Sequence, residues 1–251
     1  MIWRNNKVMG ASCAFLFLAM PCFAQMAAVS DTVSREALVE SVVTNFYKSI
    51  SDQSRLYNGP EYNFYDPLIK GSPYFNDVTN FVTGTVEYDG FFYKDVSMLY
   101  DLNKDQVAIL LPNKVAKLRL ISERVQYFNI SGHHFINIDA NTLSKPGNLS
   151  TGFYDQVYNG KTEVLVKRRK SIQNSSAITG TIETYFSPTT DIYVQTNGIY
   201  TSVSSQSSIL NVLKDKKKEL KQYIKSNNIS FRNNQEQAMI MVASYYDQLT
   251  K

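Results

Sequence analysis

Between Val82 and Ser204 the chain repeats short runs of Val, Ile, Tyr, Phe and Thr, in which apolar and polar positions alternate. That period of two is the signature of strands with one buried and one wetter face. The runs are cut by Asp89-Gly90, Ser131-Gly132, Asn159-Gly160 and Asn197-Gly198. Such pairs supply the positive backbone angles of tight hairpins. Two further breaks, 101–105 and 187–190, have turn composition. Together these signals predict about ten strands near 82–88, 91–100, 106–111, 115–130, 133–139, 152–158, 162–172, 181–186, 191–196 and 199–204. Consecutive hairpins imply an antiparallel meander.

The flanks read differently. Val33, Ala37, Leu38, Val42, Phe46 and Ile50 recur at helical spacing, which predicts one amphipathic helix within 25–56. Residues 57–81 are rich in Gly, Pro, Asn and Tyr without period and read as a long loop. In 205–251, Ile209, Leu210, Leu213, Leu220 and Ile224 form one helical stripe. Asn233 and Glu236 read as a capping pair ahead of a second stripe, Ala238, Met241, Val242, Tyr245 and Leu249. The expected fold is α+β: an N-terminal helix, a meander of about ten strands curved into an open or partial barrel, and a C-terminal helical pair covering one opening or face. Without strand-helix-strand alternation, a doubly wound nucleotide fold is not expected.

The first 24 residues place Arg4 and Lys7 ahead of an apolar run, 11–20, with Ala24 before Gln25. That is the order of a secretory signal, and the run falls short of the roughly 20 residues of a membrane span. The expectation is an exported, soluble chain, periplasmic or extracellular, cleaved near Ala24-Gln25, with 25–251 as a single domain and no transmembrane segment in the mature form. A lipid anchor on Cys22 is the rival reading, opposed by Pro21. Cleavage removes both cysteines, Cys13 and Cys22, and the only tryptophan, Trp3. It leaves 24 basic side chains against 22 acidic, so the formal charge falls from +4 to +2. Nucleic-acid binding, which needs a concentrated basic field, is not expected. Four Asn-x-Ser triplets, at Asn129, Asn148, Asn174 and Asn228, matter only in a glycosylating host.

Several phrases, YNGPEY, the glycine-cornered stretch at 84–90, YKDVSMLYD, GFYDQVYNGKTEVLVKRRK and the long C-terminal run from LKDKKKELKQ, resemble those of an uncharacterised family of exported proteins from Gram-negative bacteria. The resemblance implies export and an intact single domain, and it brings no activity and no site residues. In plan alone, the chain is similar to the half-barrel carriers of the periplasm that shelter lipid chains.

Motifs with a chemical look are weak. Gly160-Lys161-Thr162 ends like a phosphate-binding loop, but the first glycine of that motif falls on Asp155 and a strand follows instead of a helix. Asp101 to Asp105 begins like a calcium loop, but Gln106 and Pro112 stand where glycine and a bidentate acid are needed. No cofactor and no metal site is expected. His133 and His134 are the only histidines, and as neighbours on a strand they point to opposite faces. Either could act alone beside a carboxylate such as Asp139 or Asp155, yet no Gly-x-Ser-x-Gly elbow is present. The basic runs 167–170 and 214–221 read as split between faces and as a solvated helix face respectively.

The aromatic density of VEYDGFFYKDV raises a binding question. Alternation places Phe92, Lys94, Val96, Met98 and Tyr100 on an apolar core face, and Phe91, Tyr93, Asp95, Ser97 and Leu99 on a mixed face needing cover from the chain or a ligand. Phe91, Tyr93, Tyr127, Phe153 and Tyr154 are the candidate ligand-binding residues. The leading expectation is a non-enzymatic envelope protein binding an apolar, lipid-like ligand or a protein partner on the concave side of its sheet. The alternative is a secreted hydrolase using His133 or His134 with a nearby carboxylate.

Overall fold

The computed structural model describes residues 37–43, 55–145, 147–176 and 182–250. The chain forms two units, residues 1–48 and 49–251. In the first, residues 37–43 are helical, α1, and are the described part of the amphipathic segment. The leader, Cys22 and the expected cleavage position lie outside the described residues.

In the second unit ten strands form one antiparallel sheet: β1 Val82–Tyr88, β2 Phe91–Asp101, β3 Gln106–Leu110, β4 Lys117–Arg119, β5 Val125–Ile130, β6 His133–Ile138, β7 Gly152–Asn159, β8 Glu163–Ser176, β9 Ile182–Thr196 and β10 Ile199–Val203. Their order is β10-β9-β8-β7-β6-β5-β1-β2-β3-β4. Every chain neighbour is a sheet neighbour except β4 and β5. The chain leaves β4 at one edge, makes a 3-10 turn at Ser122–Arg124 and sets β5 against the other side of β1. The predicted strand 115–130 is therefore two strands with different partners. Conversely, the predicted break at 187–190 lies inside β9, where Pro188 pairs with Lys170 of β8. Lys70 bonds Thr184 and Phe186 on the outward edge of β9, and Pro188 shares their parity, so its missing N–H sits on that edge.

The sheet is open but strongly curled. Tyr100 of β2 touches Phe128 of β5, Phe135 of β6 and Phe153 of β7, with ring centroids 5.1, 4.9 and 5.9 Å apart. On a flat sheet β2 and β7, four strand steps apart, would be separated by roughly 19 Å. Curling brings the two arms together and makes that face concave. On the convex face of β2 and β3, Leu99 and Ala108 are covered by Tyr62 and Tyr74 from the tyrosine-rich loop.

Helices α2 (Gln206–Val212), α3 (Lys217–Ser226) and α4 (Gln235–Leu249) pack on the concave face of the last strands. Ile209, Leu210, Leu213, Leu220, Ile224, Met239, Val242 and Ala243 meet Val164, Val166, Ile192, Val194 and Val203 there. A 3-10 turn at Lys214–Lys216 breaks the first predicted stripe into α2 and α3. The second helix starts one residue later than predicted. Asn234 caps it by accepting the Gln237 N–H at 3.0 Å, a contact worth about 1 kcal/mol, and Glu236 is left for another partner. Among the described residues no helix is long and apolar enough to cross a membrane.

Candidate functional site

A one-residue irregularity in β2 decides which rings face inward. Gly84 pairs with Val96 and Val86 with Tyr93, so Lys94 and Asp95 together oppose Thr85. Asp95 takes the left-handed conformation, φ 55°, that such a bulge requires. Alternation is shifted by one residue at that point. Tyr93 joins Val96, Met98 and Tyr100 on the concave side, while Phe92, predicted to be core, stands outside at 45 % exposure.

The candidate rings therefore separate. Tyr93, Phe153 and Tyr154 are buried. Phe153 belongs to the interior cluster with Tyr100, Phe128 and Phe135, where Phe128 and Phe135 stack at 4.9 Å. Rings in such contact leave no acyl-sized space between them. Tyr154 packs on the opposite face with Leu165 and Tyr193, and its hydroxyl donates to Ser150 O at 2.8 Å. Phe91 stays at the rim, 40 % exposed, under the Arg55 guanidinium at 4.9 Å. Only Tyr127 joins a surface group: Phe92, Tyr127 and His134 form a row across the convex face, with centroids 6.5 and 5.1 Å apart. Burial and the Glu87 carboxylate both raise the Tyr127 phenol above its ordinary pKa.

The histidines divide as alternation requires. His134 Nδ1 lies 2.7 Å from Asn129 Oδ1, and since an amide oxygen only accepts, His134 donates. His133 Nδ1 lies 2.7 Å from Asp155 Oδ2 on the concave side. The same carboxylate oxygen accepts Arg168 Nε at 2.9 Å and Nη2 at 2.5 Å, and Nη2 also reaches Glu236 Oε1 at 3.0 Å. β6, β7, β8 and α4 are thereby joined through one buried carboxylate. Burial lowers the Arg168 pKa, but its hydrogen bonds to Glu236 and Asp155 outweigh that and leave it raised. Phe75 covers both side chains, its ring 4.9 Å from the His133 imidazole and 5.7 Å from the Arg168 guanidinium. With Nδ1 directed at the carboxylate, a neutral imidazole at this position would present an unprotonated Nε2, the arrangement of a general base. Among the described residues, however, its hydrogen-bond and ring contacts are with Asp155, Phe75 and Phe135, none of which carries a hydroxyl or thiol. Asp139, the other carboxylate considered, accepts from Asn141 and Thr151 in its own loop.

The two motif-like stretches are structural. Asp247 of α4 accepts the Thr162 N–H with both oxygens at 3.0 Å and the Tyr158 hydroxyl at 2.9 Å. A Cβ on Gly160 would overlap that carboxylate, so this glycine serves close approach and not a positive φ. The phosphate-like phrase thus holds a helix. Asp101 accepts Tyr62 Oη at 2.7 Å, Tyr65 Oη at 3.0 Å, and the N–H groups of Asn103 and Lys104. Among the described residues no group of three His, Cys, Asp or Glu side chains converges as metal ligands.

Sequence reasoning missed Arg168, Glu236, Phe75 and Phe92. For Arg168 a signal was available: the basic run 167–170 continues directly from Val164-Leu165-Val166, which is buried on both faces. Comparison of the chain with known protein families, with curated proteins and with solved structures finds no match in any of the three.

Proposed function

We propose that this is an exported, non-enzymatic envelope protein that docks a protein partner on the convex face of its sheet. The carrying observation is the contrast between the two faces. The concave side is packed with the chain's own rings, whereas Phe92 stands outside in a row with Tyr127 and His134. Interface centres are enriched in such aromatics, and Glu87 and Asn129 supply polar groups at the same row. A lipid carrier would need room on the concave side. Export rests on the charge, apolar run and small residue of the first 24 positions.

The test is a photo-reactive amino acid introduced at Phe92, or at Lys218 on α3 as control, in cells exporting the chain. A discrete protein adduct from position 92 and none from 218 supports the reading. Absence of any adduct at 92, or a lipid co-purifying one to one in native mass spectrometry, overturns it.

A hydrolase remains the second reading because of one observation, the 2.7 Å contact between His133 and Asp155. Hydrolysis of simple esters that disappears in His133→Ala, with the fold intact, would favour it over partner docking.

A further inference from the structure

Strand edges are covered by the chain itself almost everywhere in this sheet. At β10, Asn148 N donates to Tyr200 O at 3.2 Å. At β4, Tyr62 N donates to Lys117 O and Arg119 N to Pro60 O, both at 2.9 Å. At the distal part of β9, Lys70 N donates to Thr184 O at 2.9 Å and Phe186 N to Lys70 O at 3.1 Å. β8 runs on past β7, and its edge is met once more by the β2–β3 turn, where Lys170 N donates to Leu102 O at 3.1 Å. Beyond Lys170 the cover stops. Residues 171–176 are all exposed, and no described backbone group pairs with β8 on that side.

The parity of the free groups follows from Lys170. Its N–H points away from β9, so Ile172, Asn174 and Ser176 also turn their N–H and C=O groups away from β9. The odd-numbered residues face Ser187, Tyr185 and Glu183. A protruding two-stranded ribbon is marginal alone, and an open edge of this kind is a template for another strand. The devices that usually blunt such edges are missing. Ser171-Ile172-Gln173-Asn174-Ser175-Ser176 contains no charge and no proline.

We propose that this edge pairs antiparallel with the same edge of a second copy, about a two-fold axis at Asn174. Self-pairing sets like residues near like, so a charged edge would repel itself and this neutral one does not. Glu183, the nearest carboxylate, is on the far strand and already bonded by Lys70 at 2.6 Å. In this register Ile172 lies opposite Ser176 of the other copy. Ile172 and Ile182, 40 % and 69 % exposed, stand on the same face of the ribbon, so pairing gathers the isoleucines of both copies on one four-stranded surface. The interface is separate from the convex row proposed for partner docking.

Light scattering of the purified protein across a concentration series tests it. Twice the monomer mass is expected, with slow amide exchange at 172, 174 and 176. Asn174→Pro, which removes the N–H at the axis, is expected to raise the dimer dissociation constant about tenfold or more. Asn174→Ala, which keeps the N–H, and Phe92→Ala, on the other surface, are expected to leave it unchanged. A monomer at every concentration, or a dimer indifferent to Asn174→Pro while circular dichroism stays native, overturns the proposal.

Discussion

Lys167 on β8 and Asp105 in the β2–β3 turn meet at 2.6 Å over the backbone of Gly152, although four strands separate β8 from β2 in the sheet. Asp105 also accepts the Tyr100 hydroxyl at 2.6 Å, and Lys167 Nζ donates to Phe153 O at 3.0 Å beneath the Tyr154 ring. This ion pair clamps the curled sheet at the seam that the Lys170 N–H to Leu102 O bond also crosses. The Lys167 side chain is only 5 % exposed against 29 % for Asp105. Burial lowers the Lys167 pKa, and Asp105 opposes that. Removing the two partners is therefore unequal. Asp105→Ala strands a buried ammonium and is expected to cost about 3–5 kcal/mol, while Lys167→Met, leaving Asp105 part-solvated, is expected to cost clearly less. Urea unfolding of both variants checks the order.

Gly152→Ala is expected to be as damaging as Asp105→Ala. Its φ is +140°, and an added Cβ would overlap both Asp105 Oδ2 and Lys167 Nζ. Strain of about 1–3 kcal/mol adds to the lost ion pair. Thermal melts should show the loss, whereas Gly90→Ala, where a Cβ meets open space, should cost only the strain of its positive φ.

Alkaline pH should unfold the protein early. Burial raises the phenols of Tyr62, Tyr65, Tyr100 and Tyr200, and nearby carboxylates add to it. Below pH 10 both folded and unfolded states hold these protons. Above it the unfolded chain releases them first, so stability falls as pH rises through the interval up to the folded values. Lys167, lowered, acts in the opposite sense just below 10.5, but it is one group against four. Denaturation midpoints measured from pH 8 upward should drop beyond 10 and drop less in Tyr100→Phe.

Interior and exterior rings should respond oppositely. Phe135→Ala empties part of the packed cluster and is expected to cost about 3–5 kcal/mol. Phe92→Ala on the convex face is expected to stay within about 0.5 kcal/mol, yet abolish partner adducts at the neighbouring Tyr127. Equilibrium unfolding and the crosslinking assay separate the two effects.

The docking of α4 rests on Asp247. Asp247→Ala leaves the buried Thr162 N–H without its acceptor and is expected to cost about 1–3 kcal/mol. Amide exchange should quicken in α4 before it does in β5 and β6.

Where the chain declares a turn through backbone chemistry, the sequence was readable. Asp89-Gly90, Ser131-Gly132 and Asn197-Gly198 adopt the positive φ pairs their composition implies, whereas Asn159-Gly160 does not, its glycine making room for the Asp247 carboxylate instead. Boundaries set by tertiary partners were not. Leu118, Leu120, Ile121 and Val125 carry apolar residues up to and past the point where the chain changes edge, and no glycine or proline marks the turn between them. The turn composition of 187–190 misled because an outward edge tolerates proline. Asp95 gives no warning of its bulge, since aspartate is ordinary in a strand's polar positions. His133 and Asp155 are 22 residues apart and share no local signature.

The bulge at Asp95 is a spare residue as far as the two rings are concerned. Deleting it would leave Lys94 alone against Thr85 and keep Tyr93 against Val86 and Phe92 against Glu87, so each aromatic would hold its side and the Asp-Gly corner would stay. What an in-frame loss there edits is local twist, so descendants of this chain can retune the curvature of the hairpin without rewriting which ring meets the solvent.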